Sequence, residues 1–431
     1  MAAPPHDPQQ ATGTPSQTRP PVPPGRSALR DVNVLRWLAA YTLSTVGDSI
    51  YFLALSWAAL DIGGSDRVGL VLAVGAVPRV ALMLGGGVVA DRIGPRKVVI
   101  ASDAVRFLVL LSLAAALALA SPGLWFLIAA ALVFGVVDSL FLPAIGALPP
   151  RLTAPDQLAR VQGLRALALR LGATAGGPLA GLAMALNGTA LAFGTAAALF
   201  GLSLLLLITL RLKPPHPPAT PAGTDAPART SFWEDLRGGL SYLRRHPVLA
   251  RLVTVISLGQ LSGIASLNIG LVLLANGRGW GAAGAGWLLG AYSIGSGASA
   301  LLIILRGTLP RAGLVQAYCL ILGAGGLACL PLTPSLLTTA ALTSLCGLAA
   351  GIHGGLAQAL VQTLGDPAYL GRITSVMTLT TLGLAPLTYP LFNHVATTWN
   401  LTTAFLSFGV LGIIGAAFAL TSRAVRQAEL R

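Results

Sequence analysis

Apolar residues along this chain fall into long, nearly unbroken blocks separated by short polar turns. Six blocks run at 33–60, 67–90, 97–120, 124–146, 157–186 and 188–210, and after a polar stretch six more run at 248–276, 281–305, 312–332, 335–362, 370–396 and 400–422. A helix needs about 20 apolar residues to cross roughly 30 Å of hydrocarbon, and each block meets that length. Turn dipeptides such as Pro122-Gly123 and Asn187-Gly188 mark the breaks. The pattern predicts an all-α integral membrane protein with twelve transmembrane helices in two six-helix, pseudo-symmetric halves, 33–211 and 248–422.

The flanking segments read differently. Residues 1–32 are rich in Pro, Ala, Gln and Thr and contain no apolar core of the signal-peptide kind, so a disordered cytoplasmic tail is expected and the first helix serves as its own insertion signal. Residues 212–247 open with the tether PPHPPATPAGTDAPART and continue with apolar residues at helical spacing between charges. An amphipathic helix at the membrane surface is expected there, and 423–431 reads as a short cytoplasmic tail.

Composition confirms the solvent. Of 431 residues 54% are hydrophobic and only 10% are charged, with mean hydropathy +0.76, against about 25% charged in a soluble domain. The net charge of +14 is a topology signal and gives no support to nucleic-acid binding. With the N-terminus inside, Arg67 and Arg278 fall on outer segments, Arg79, Arg106, Arg165 and Arg170 fall within helices, and every other basic residue falls on a cytoplasmic segment. Lys and Arg accumulate on the cytoplasmic side of inserted helices, so both termini are expected in the cytoplasm. Cys319, Cys329 and Cys346 sit in apolar blocks without paired spacing, which argues for packing roles and against a disulfide frame or a metal site.

The halves echo each other. Leu35-Arg36 answers Ala250-Arg251 and Pro95-Arg96 answers Pro310-Arg311 at one offset, and Arg160 answers Arg372 at a slightly shorter one. Such repetition is common in transporters, whose substrate site lies between repeats near the midplane.

The turn after the second block reads GGGVVADRIGPRKVV. It resembles the loop signature of the major facilitator superfamily through Gly87, Asp91, Arg92, Gly94, Arg96 and Lys97, with Pro95 standing where a basic residue is usual. Gly94 permits a tight turn and Asp91 suits a helix N-terminus. The segments STVGDSIYFLALSW, ASDAVRFLVL, LPPRLTAPDQLARVQGL and GRITSVMTL together resemble the drug and siderophore exporter branch, which includes macrolide efflux proteins and the enterobactin exporter. The resemblance implies a monomeric secondary transporter in a prokaryotic plasma membrane, whose partners are the lipid bilayer, a small-molecule substrate and protons. Signature loops in that family bias the alternating-access equilibrium. In the fifth block Gly163, Gly172, Gly176, Gly177, Pro178 and Gly181 approach the glycine-proline motif of antiporters, and helix packing explains the same residues.

Ionisable groups inside a bilayer cost roughly 2.5–3.5 kcal/mol each on insertion scales. Asp48 and Asp138 sit near the middle of their blocks, as does Arg79, while the six C-terminal blocks contain no acid. Asp48 and Asp138, with Arg79 as partner, are proton-coupling candidates, and a static ion pair is the competing reading. Asp103 and Arg106 lie one turn apart, with Arg96 seven residues earlier; a gating network on the signature loop is expected from them. Tyr51, Trp57, Gln260, Asn268 and His353 are candidates for the substrate cavity, while Tyr389 and His394 lie towards the outer face. No phosphate-binding loop, His-x-x-Glu-His or Gly-x-Ser-x-Gly pattern occurs, so an enzyme, a primary pump or a cofactor has no support, and a proton gradient is the expected energy source. A proton-linked exporter of amphipathic or hydrophobic compounds is the leading reading. A facilitator or importer of the same fold, or a non-transporting scaffold or sensor, is the alternative.

Overall fold

Every apolar block forms helix, because a backbone in hydrocarbon has to satisfy its own hydrogen bonds. A computed structural model describes residues 31–120, 122–153, 157–210, 232–306, 310–366 and 369–429. The expected tail, apart from its last residues, and the tether up to residue 231 lie outside the described residues, as do the surroundings of Gly87 and the side chain of Asp91. The N-terminal half comprises α1 (Val32–Gly63), α2 (Ser65–Ile93), α3 (Pro95–Leu119), α4 (Leu124–Gly146), the single turn α5 (Pro149–Leu152) and α6 (Leu158–Ile208). Next comes α7 (Phe232–Arg245). The C-terminal half comprises α8 (Pro247–Ala265), a π-turn (Ser266–Gly270), α9 (Leu271–Gly277), α10 (Gly281–Arg306), α11 (Ala312–Cys329), α12 (Leu336–Leu364), α13 (Leu370–Gly383), α14 (Ala385–Thr398), α15 (Leu401–Thr421) and the turn α16 (Arg423–Arg426).

Among the described residues nine helical segments are long and apolar enough to cross a membrane. One of them, α6, is two rods, because Asn187 (φ −153°) and Gly188 (φ +66°) leave helical geometry at the turn that the Asn-Gly pair predicts. The seventh block bends through its π-turn, and the eleventh is divided at Leu384 between α13 and α14. Side-chain caps fix several starts: Asp31 accepts from the Asn33 N–H at 2.9 Å, and Asn400 from the Thr403 N–H at 2.7 Å.

The repeat seen in the sequence returns in the packing. In the first half α1 packs on α6, α2 on α4, and α3 on both α4 and α6; in the second, α8 packs on α15, α10 on α12, and α11 on both α12 and α15. Between the halves, α6 before its kink meets α10, and α14 meets α2. Both seams lie in the far part of the rods, away from the near face that carries Val32 and Thr421. At the first seam a Cβ on Gly286 would come within 2.5 Å of the Gly177 carbonyl oxygen. At the second, the Asn393 side-chain amide donates to the Asp66 carbonyl at 3.1 Å.

Two peripheral expectations are revised. Helix α7 forms as the pattern predicts, but Leu236 and Leu243 are buried in the C-terminal core with Leu252, Ile373 and Val376. Its apolar face is therefore covered by protein, because that half offers an apolar groove on the near face. Within the expected C-terminal tail, Val425 is fully buried and the Gly313 N–H donates to the Ala428 carbonyl at 3.3 Å, so this segment packs on α11. Large apolar side chains such as Leu205, Leu322, Leu337 and Leu387 are exposed, as lipid-facing positions are.

Candidate functional site

Five charged residues from four helices meet inside the N-terminal half. Arg106 of α3 is 1% exposed and is the hub. Its Nη2 donates to Asp138 Oδ1, and its Nη1 to Asp103 Oδ1 at 3.4 Å. Arg79 Nε lies 3.8 Å from the other Asp138 oxygen. Asp103 Oδ2 accepts from Ser203 Oγ at 2.6 Å and from Ser44 Oγ at 3.0 Å. The Arg106 guanidinium lies 4.0 Å from the Phe141 ring centroid, with Phe134 and Phe200 at 5.3 and 5.4 Å. These aromatic faces and carboxylates replace the hydration that a buried guanidinium loses.

Asp48 of α1 borders this cluster and interacts electrostatically with Arg106, Asp138, Arg79 and Asp103. Its Oδ1 is buried and accepts no hydrogen bond among the described residues. Three carboxylates thus share two guanidiniums, and the carboxylate left over is the one with the unpartnered oxygen.

This geometry redraws the sequence expectation. Asp103 and Arg106 do not form a separate network with Arg96 of the signature loop. Seven helical residues put Arg96 about 10 Å along the axis, and its Nη2 donates to the Ile208 carbonyl at 2.7 Å. Arg36 Nη1 reaches the Thr209 carbonyl at 3.4 Å. Free carbonyls at a helix C-terminus attract cations, so both residues serve the end of α6. Gly94 takes φ +96° ahead of α3, a positive φ that suits glycine at the tight turn expected there. Arg92 and Lys97 are exposed, and the expected seat of Asp91 lies outside the described residues.

A cavity of about 510 Å³ lies mostly within the C-terminal half and runs from mid-depth towards the near face. Gln260, Asn268 and His353 line it, as the sequence predicts. The Asn268 amide donates to the Ile264 carbonyl at 2.8 Å, and His353 Nδ1 lies 3.3 Å from the Gln316 carbonyl, so both are oriented by backbone. Tyr51 is elsewhere: it stacks on Phe134 at 3.7 Å and lines a 60 Å³ cavity with Arg79 and Asp138. Trp57 packs against the apolar core instead. Tyr389, expected near the outer face, lines the small cavity beside Arg79, whereas His394 is exposed. Ile264 borders both cavities, so the charge cluster and the larger cavity share a wall.

The glycine-proline motif faces two ways. A Cβ on Gly172 or Gly176 would strike Thr45 or Ser49 of α1, while Gly177, Pro178 and Gly181 meet Ala283, Gly286 and Gly290 of α10. Arg170 falls within a helix in the sequence, with no role evident there. It lines the large cavity, and its Nη1 donates to the Ser296 carbonyl at 3.0 Å and to Ser296 Oγ at 3.1 Å. A base in mid-block with no acid a turn away was the available signal.

Two pseudo-symmetric helical halves, one holding a buried charge cluster and the other most of an adjoining cavity, have the architecture of a secondary transporter. The family model described as Major Facilitator Superfamily matches residues 37–390. The chain belongs to that superfamily and is a multi-pass membrane transporter. It is 27% identical over 314 residues to the protein named enterobactin exporter EntS of Shigella boydii serotype 18, covering 72% of each chain, and equally to that of Escherichia coli O1:K1. Among solved structures it is similar to a bacterial homologue of the human lysosomal transporter Spinster in an inward-facing, occupied conformation, with TM-score 0.70 and 14% identity over 94% of this chain and 98% of that one. A mutant of the nucleoside transporter NupG superposes with TM-score 0.66 and 16% identity, covering 90% and 99%. These two likenesses concern the fold.

Proposed function

We propose that the chain is a proton-coupled exporter of small amphipathic compounds in a bacterial plasma membrane, working by alternating access with both termini in the cytoplasm. The carrying observation is the imbalance of the buried cluster, in which among the described residues the three carboxylates of Asp48, Asp103 and Asp138 lie with two guanidiniums, those of Arg79 and Arg106. An unpaired carboxylate in hydrocarbon favours its neutral form, so the surplus acid is suited to take up and release one proton. The seams hold the far face together while the cavity runs towards the near face, which corresponds to one of the two openings the cycle requires. Placement of basic residues supports cytoplasmic termini, and export follows the relatives named as exporters. The reading takes the bilayer, a substrate and protons as partners, with the chain as a monomer and no cofactor.

Proton movement driven by 8-anilinonaphthalene-1-sulfonate in proteoliposomes tests it. Asp48→Asn is expected to lower coupled proton flux at least about ten-fold while dye binding persists, because one carboxylate can supply 10²–10⁴-fold in a proton-transfer step. Asp138→Asn is expected to lose coupling and also stability, since it removes the ion-pair partner of Arg79 and leaves Arg106 with Asp103 alone. Unchanged coupling in both variants would sink the proposal, and dye flux without proton movement in the wild type would indicate a facilitator.

A further inference from the structure

Arg170 is the one charged lysine, arginine, aspartate or glutamate side chain on the lining of the 510 Å³ cavity among the described residues. Its hydrogen bonds there go to the carbonyl and hydroxyl of Ser296, both neutral acceptors. Among the described residues the ion pairs formed within the membrane join Arg79, Arg106, Asp103 and Asp138, and none of them includes Arg170. The cavity therefore presents at mid-depth a positive charge that no ion pair among the described residues neutralises. Around it stand neutral hydrogen-bonding groups, Gln260, Tyr292 and Gln358, and an apolar wall of Leu267, Leu327 and Met377.

We propose that the cavity selects anionic amphipathic compounds, and that Arg170 pairs with the acidic group of the substrate while the apolar wall takes its body. This rests on the transporter reading of the cavity and adds the substrate class. A guanidinium kept in a membrane protein without a counter-ion is costly, and an incoming carboxylate, sulfonate or phosphate supplies that counter-ion, bidentate where its geometry allows. A cavity of this size suits a small organic molecule, for which about 300–1,000 Å³ is usual. Arg170 also bridges the halves, because it stands on α6 and Ser296 on α10. An anion that takes the guanidinium competes with this bridge, so occupancy and the docking of the halves are linked at one side chain.

Equilibrium dialysis of the full-length protein in lipid nanodiscs tests the assignment with two probes, anionic 8-anilinonaphthalene-1-sulfonate and cationic rhodamine 6G. Saturable binding of the anion is expected to weaken about ten-fold or more in Arg170→Gln, the equivalent of one charge-assisted hydrogen bond. Arg170→Lys is expected to recover most of it, and rhodamine 6G to bind the wild type more weakly than the anion and to gain in Arg170→Gln. Ser296→Ala, which removes one competing acceptor and keeps the charge, is expected to bind the anion at least as tightly as the wild type does. Anion binding that is absent, or unchanged in Arg170→Gln, overturns the proposal. So does tighter binding of the cation by the wild type, or an equal loss in Ser296→Ala, which would make Arg170 a bridge between the halves alone. Proton coupling is not read in this assay, so anion binding that is unchanged in Arg170→Gln leaves the exporter reading standing, and anion binding without coupled flux leaves this assignment standing.

Discussion

Replacing Arg106 by Gln is expected to destabilise the protein by about 3–5 kcal/mol, the usual consequence of removing one partner from a buried charge set. Arg106 is the shared donor of Asp103 and Asp138, and neither it nor they reach solvent. Without it Asp103 keeps its two serine hydroxyls, but Asp138 keeps only Arg79 at 3.8 Å. The variant should denature at a markedly lower temperature in detergent and show no coupled transport. Arg106→Lys should recover part of the stability, since an ammonium keeps the charge but cannot fork between two carboxylates. The charge-balanced double variant Arg106→Gln with Asp138→Asn should be more stable than Arg106→Gln alone. Wild-type melting of the single variant would show that the cluster is solvated and unimportant to the fold.

The second large effect is expected at the seam between the halves. Gly286→Leu places a side chain where even a Cβ would lie 2.5 Å from the Gly177 carbonyl and 2.8 Å from Gly181 Cα. Backbone cannot retreat there without moving a whole helix, so the halves should separate at the far face. Overpacking costs about 1–3 kcal/mol, which corresponds to a shift of roughly 5- to 150-fold between conformations. Spin labels on exposed Leu186 and Leu337, far-face positions on α6 and α12, should report a longer distance, and transport should fall at least ten-fold. Gly163→Ala, where an added Cβ meets nothing within 4 Å, serves as the control and should leave both readouts unchanged. An unaltered label distance in Gly286→Leu would mean that the seam yields locally and does not set the conformation.

Much of the candidate site was legible in the sequence as depth. Asp48, Asp138 and Arg79 were recognisable because charges are rare in apolar blocks, and Gln260, Asn268 and His353 because their depth matched that of a central cavity. What depth could not supply was direction around each helix. Lipid is as apolar as the protein interior, so a membrane helix carries little amphipathic pattern to reveal which side faces its neighbours. Trp57 and Tyr51 were accordingly placed at the right depth but beside the wrong space. Tyr389 had the composition of an interfacial anchor and points inward to Arg79.

Sequence alone determined the helices, the break at Asn187-Gly188, the tight turn at Gly94 and the superfamily signature, because each depends on local backbone chemistry or on the length of an apolar run. Only the tertiary structure decided which charges meet. Arg106 and Asp138 are 32 residues apart, and Arg170 and Ser296 are 126 apart in different halves. Such partners are chosen by the rotation of packed rods, and that rotation is set by close contacts such as Gly177 on Gly286, where small residues let backbones approach. The twelve apolar blocks specify what each rod is made of, and the packing of one rod on another determines that the surplus acid sits beside Arg106 while Arg170 faces the cavity.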